Sequence, residues 1–88
     1  MNTVFYLIAQ FGARAIIPID EVRREYFSHL ELDKFLLKIG RGEIALPVIR
    51  AERSQKAAKG VYVQDLADYI DNQRAAAVKE RDQLMGVV

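Results

Sequence analysis

The sequence predicts a small α+β fold in which two short helices precede a β-hairpin and a longer helix follows it. Three observations carry this. Apolar residues recur at helical spacing in the first half, at Leu32, Phe35, Leu36 and Ile39 among others. Two β-branched runs, Leu46-Pro-Val-Ile49 and Val61-Tyr-Val63, flank the polar stretch Arg50-Ala-Glu-Arg-Ser-Gln-Lys-Ala-Ala-Lys-Gly60. The last element starts near Gln64-Asp65 and runs to about Met85, and past Asp71, from Asn72 to Arg81, it is alanine-rich and polar.

The elements follow in order. Val4, Leu7, Ile8 and Phe11 predict a helix over residues 3–11, with Thr3 as cap and Gly12 as stop, inside an N-terminal segment 1–13. Phe5, Tyr6 and Ala9 make that helix apolar nearly all round, which predicts a contact with another subunit. Ala15-Ile-Ile17 is a short extended segment, because Pro18 pushes Ile17 out of helical geometry. Residues 18–40 form the helix pair. Asp20 and Glu21 suit the first helix's N-terminus, and Val22, Tyr26 and Phe27 face inward. Ser28-His29-Leu30 breaks the pattern, and the second helix runs from Leu32 to Ile39 with a stop at Gly40 or Gly42.

The hairpin spans 44–63, where Pro47 requires an edge strand or a bend and Gly60 gives the loop an exit with free φ. The last helix, 64–86, starts at Gln64 or Asp65 and packs through Leu66, Ala67, Tyr69 and Ile70. Leu66, Ile70, Gln73, Ala77, Glu80 and Leu84 form a short heptad-like seam along it, with polar breaks at Gln73 and Glu80.

Composition narrows the function. With 51% hydrophobic and 28% charged residues, the 88-residue chain belongs to the globular class and folds as one domain. It has no cysteine, which excludes a disulfide framework, a thiolate metal site and a cysteine nucleophile. Its single histidine, His29, has no partner at metal-ligand spacing, so no cofactor or metal is expected. Nothing in the pattern supports an enzyme. The N-terminal apolar run is far shorter than the roughly 20 residues of a membrane span, and it lacks the cationic start of a signal peptide, so a cytoplasmic protein is expected.

Charge distribution is the sharper clue. The loop from Arg50 to Gly60 carries +3 in a chain of net +1, so everything outside it sums to −2. A cationic projection on a near-neutral body attracts a phosphate backbone. Helix, turn, helix, hairpin, helix is the order of winged helix-turn-helix proteins of the excisionase and MerR type. On that reading the second helix of the pair enters the major groove with Lys34, Lys38 and Arg41, which share one face. The hairpin loop then lies over phosphates with Arg50, Arg53, Ser54, Gln55, Lys56 and Lys59, of which Ser54 and Gln55 can also reach base edges. The plainer alternative for each group is a solvated surface: Glu31, Asp33 and Glu43 dilute the helix cations. Asp65, Asp68 and Asp71 form an acidic helix edge suited to solvent or a partner, and Gly40-Arg-Gly42 is a turn.

Several runs together resemble the pyocin activator protein family. These are Phe5-Tyr-Leu7 with Ala9-Gln10, Ile17-Pro-Ile-Asp-Glu-Val22, Tyr26-Phe-Ser-His-Leu30, Lys38-Ile39 with Gly42-Glu-Ile44, Leu46-Pro47, Ser54-Gln-Lys-Ala57 with Lys59-Gly60, Gln64-Asp-Leu-Ala67 and Tyr69-Ile-Asp71. The resemblance implies a bacterial transcriptional activator that recognises short repeated elements upstream of genes for phage-tail-like bacteriocins. It also implies a nucleoid-associated location, double-stranded DNA as partner, and RNA polymerase as a candidate one. Repeated sites imply several copies side by side, hence self-association as a dimer or higher oligomer. The alternatives are a phage-type architectural or excision factor that bends DNA, and a protein-interaction module without DNA binding.

Overall fold

A computed structural model describes residues 2–53 and 57–86. Four helices and a three-stranded antiparallel sheet make up a small α+β fold. Their order is α1 (Thr3–Phe11), β1 (Ile16–Pro18), α2 (Ile19–Tyr26), α3 (Leu32–Gly40), β2 (Ile49–Arg50), β3 (Lys59–Tyr62) and α4 (Val63–Leu84). The sheet order is β1-β3-β2. Ile17 stands opposite Val61 and Pro18 opposite Gly60, while Ile49 and Arg50 pair with Gly60 and Lys59. Strand β3 is therefore the middle strand, and the extended segment around Ile17 is a full ladder partner.

Local chemistry sets the ends of these elements. Helix α1 is capped by Asn2, whose side chain accepts from the Val4 N–H, and not by Thr3. The Thr3 hydroxyl instead donates to the Asp71 carboxylate on α4 and ties the two helices together. At the end of α3 the Gly42 and Glu43 N–H groups reach back to the carbonyls of Ile39 and Lys38 at 3.0 and 2.9 Å. This closure needs a left-handed residue, and Gly42 supplies it with φ +75°. Gly42, not Gly40, is the stop.

Among the described residues the core is built from twelve buried apolar side chains, including Leu7, Ile17, Val22, Phe35, Val61 and Leu66. Phe35 stacks on Phe27 with ring centroids 4.6 Å apart, and Phe27 meets Tyr69 at 5.7 Å, which joins α3, the turn after α2 and α4. Ile44 and Leu46 are buried as well.

Four expectations need correction. The run Leu46-Pro-Val-Ile49 is not a strand throughout; only Ile49–Arg50 joins the sheet. Pro47 has no N–H to give, and the Leu46 N–H is turned onto the Ile44 carbonyl at 2.9 Å, so the segment anchors the core instead of extending the ladder. Val63 is the first residue of α4, and its N–H donates to the Ala15 carbonyl at 2.8 Å. Tyr26 does not face inward but is 38% exposed, its hydroxyl donating to Gln10. The seam on α4 is buried only at Leu66, and Leu84 at its far end is 82% exposed.

Gly60 serves a purpose other than the free φ expected of it. Its φ is not positive. A Cβ there would stand 2.5 Å from Ile16 Cγ2 and 3.0 Å from the Ile17 carbonyl oxygen. Glycine lets β1 lie close against the middle strand. Gly60→Ala is expected to destabilise the protein by about 1–3 kcal/mol, because a β-branched neighbour and a backbone atom must both move. Urea denaturation measures it, and an unchanged midpoint would refute the steric account.

Candidate nucleic-acid interface

Three of the predicted cations, Arg41 beside the second helix and Arg50 and Lys59 on the hairpin, meet at one groove. Its walls are Asp33, Leu36, Leu37 and Gly40 from α3, Arg41 just past the helix end, and Arg50 and Lys59 from the hairpin, around about 650 Å³ of open space. Sequence spacing put Arg50 and Lys59 in a loop. They are instead a cross-strand pair on β2 and β3, which sets two cations side by side where the hairpin leaves the sheet. Just beyond them the Ala51 N–H donates to the Ala58 carbonyl at 2.9 Å and carries the hairpin outward. Arg53 is exposed on that projection. Ser54, Gln55 and Lys56 lie outside the described residues.

On α3 Lys34 is exposed and Lys38 half-buried, while Arg41, expected on the helix, is the exposed residue that caps its end. At 100° per residue the three share one face, beside the stripe that lines the groove. Their charge is partly met from within. Glu43, just past the helix, lies 3.5 Å from Lys38 Nζ and 3.9 Å from Arg41 Nη1. The face is cationic but carries its own competing carboxylate.

The groove also contains residues that the pattern of cations did not select. Leu37 lies outside the Leu32, Phe35, Leu36, Ile39 stripe and remains substantially exposed, and an apolar residue off register was the available signal. Arg23 acts through position. Its guanidinium donates to Asp20 at 2.8 Å and to the Leu30 carbonyl at 3.1 Å, which pins the turn that aims α3 relative to α2. The charge-assisted bond from Arg23, with Arg24 close by, holds the Asp20 carboxyl below its ordinary value. Arg14 grips Glu21 with two parallel bonds of 2.7 and 3.0 Å and lowers its carboxyl in the same way, while its Nε caps the Phe11 carbonyl. The Arg14 contacts fix the α1–α2 connection. His29 is exposed in the turn near Phe27. Among the described residues no group of three or more metal-ligating side chains is assembled. No helix among them is long and apolar enough to cross a membrane.

The acidic edge of α4 is partly engaged. Asp68 accepts from Gln64 at 2.9 Å and Asp71 from Thr3, so these carboxylates brace helices.

The family model described as Pyocin activator protein PrtN matches residues 3–77. The chain belongs to that family. The match takes in α1 to α3, the sheet and the packed half of α4, so the family's common part includes the whole groove. No curated protein and no solved structure matched the chain in the corresponding comparisons.

Proposed function

We propose that this member of the pyocin activator family is a DNA-binding transcriptional activator of pyocin genes, working as one winged helix-turn-helix domain. The observation that carries the reading is the groove in which Arg41, at the end of α3, meets Arg50 and Lys59 of the hairpin. A helix with side chains is about 10–12 Å across, which matches the major groove's width of about 12 Å. With α3 in that groove, Lys34, Lys38 and Arg41 approach base edges. The hairpin, with Arg50, Arg53, Ser54, Gln55, Lys56 and Lys59, follows the neighbouring phosphates as a wing. Repeated promoter elements are then filled by self-associating copies, RNA polymerase is the downstream partner, and the protein resides on the nucleoid. Family membership supports the activator role. The order helix pair, hairpin, helix supports the winged arrangement.

Fluorescence anisotropy with a pyocin promoter duplex and a scrambled duplex tests it. If four to six cations meet phosphates, log affinity falls against log salt with a slope of roughly −4 to −5. A flat salt response, or equal affinity for both duplexes, refutes it. A reporter assay then separates activation from DNA bending alone.

Glu43 provides a second test, since its carboxylate competes with phosphate for Lys38 and Arg41. Glu43→Gln is expected to raise affinity for all duplexes by roughly 1.4–5-fold, the scale of an exposed ion pair of about 0.2–1 kcal/mol. Weaker binding would place α3 away from the DNA.

A protein-interaction reading is favoured by a different observation. Phe5 and Tyr6 on α1 are 69% and 62% exposed, on a helix without a single charge. That face suits a partner protein and is compatible with DNA binding elsewhere.

A further inference from the structure

The second half of α4 presents an exposed face, apolar at Ala77 and Leu84 and polar at Gln73 and Glu80. From Leu66 and Ile70 that face continues through Gln73 and Ala77 to Leu84, 82% exposed, and the helix helps to draw the molecule out to 49 Å in its longest dimension. Alongside its first half run two open hollows. One lies between α1 and α4, and the other lies against the turn after α2. Both are lined by Tyr26 and Ile70. The first ends at Arg74 and Ala75, where the tail of α4 begins. The remaining nine residues, 76–84, rise about 14 Å.

We infer that two copies of this chain dimerise by crossing their α4 helices antiparallel at Ala77, each tail filling the hollow beside the other copy's Ile70. The inference rests on the self-association reading and on no DNA contact. A two-fold crossing at Ala77 sets residues equally far from it opposite one another. Ile70, seven before, meets Leu84, seven after; Arg74, three before, meets Glu80, three after. Apolar therefore lands on apolar and cation on anion, from one sequence read in both directions. Ala77 itself, at the crossing point, is small enough to let the backbones approach. No other crossing point on the tail pairs both Leu84 with Ile70 and Glu80 with Arg74.

The chain has no cysteine, so a single introduced thiol reports the geometry. Free protein at tens of micromolar is the sample, with circular dichroism confirming the fold of each variant. Light scattering is expected to show a dimer. Ala77→Cys is expected to form an intermolecular disulfide under mild oxidation at least about tenfold faster than Lys79→Cys, on the opposite side of the helix. Leu84→Glu should yield monomer without loss of helix content, because that side chain touches little in one copy. Arg74→Glu and Glu80→Arg should each weaken the dimer at least about tenfold, and together restore it. A wild-type monomer overturns both this interface and the self-association reading. A dimer that survives Leu84→Glu, and in which the two thiols cross-link equally, overturns this interface alone.

Discussion

Converting Arg50, Arg53, Lys56 and Lys59 to alanine is expected to cost at least about 100-fold in affinity for every duplex at physiological salt, and to lower the salt slope by roughly four. The physical reason is counterion release: each cation seated on a phosphate frees about one condensed ion, whatever the base sequence. Arg50 and Lys59 stand side by side at the root of the hairpin and line the groove with Arg41. Their loss removes field from the α3 side too. Discrimination between promoter and scrambled duplex should persist, because Lys34, Lys38 and Arg41 are untouched. Single changes at Lys38 or Arg41 should do the reverse and cost about 1–3 kcal/mol at one base position if that residue reads it. Titration of the four-fold variant at two salt concentrations measures the effect. Promoter affinity and slope within error of wild type would eliminate the wing.

The second large effect concerns the brace behind the groove. Phe35→Ala is expected to destabilise the protein by about 3–5 kcal/mol. The ring is fully buried and stacked 4.6 Å from Phe27, so truncation removes both its transfer energy and its packing partners and leaves a void between α3 and the turn after α2. A chain of 88 residues has a total stability of only about 4–13 kcal/mol. The substitution therefore removes a large share of it, with a fall in Tm of at least about 12 °C. Thermal melting followed by circular dichroism checks this. A fall of less than about 3 °C would mean that the aromatic stack does not hold α3 in place. Binding at low temperature, where the variant is still folded, should fall less than in the hairpin variant, since no cation is removed.

The helices were legible because their signal is periodic and local. The spacing of Leu32, Phe35, Leu36 and Ile39 marks a helical stripe, and Phe35, the residue of that stripe set deepest, is its buried centre. Helix α1 occupies the residues its apolar spacing indicated, although Asn2 took the cap from Thr3. The long last helix was readable from Asp65 and Asp68 at its start, the packing residues Leu66, Ala67, Tyr69 and Ile70, and the alanine-rich run past Asp71. The sheet was harder. Strand β1 has three residues and β2 has two, too few for alternation to show, and each exists only because β3 lies between them. Gly60 carried a glycine's usual ambiguity: free φ and missing Cβ look alike in a sequence, and only the approach of Ile16 tells them apart.

The same division runs through the site. Residue types and spacing alone supplied the cations, their concentration between two β-branched runs, the common face of Lys34, Lys38 and Arg41, and the family resemblance. Charge and helical phase are properties of neighbouring residues, so a linear reading reaches them. The tertiary structure alone decided that Arg50 and Lys59 are a strand pair, that they share a groove with Arg41, that Glu43 draws on Lys38 and Arg41, and that Asp71 is engaged by Thr3. Each of those facts joins segments through space. Their distances depend on how the buried side chains of α3, α4 and the sheet pack together, which no local pattern encodes.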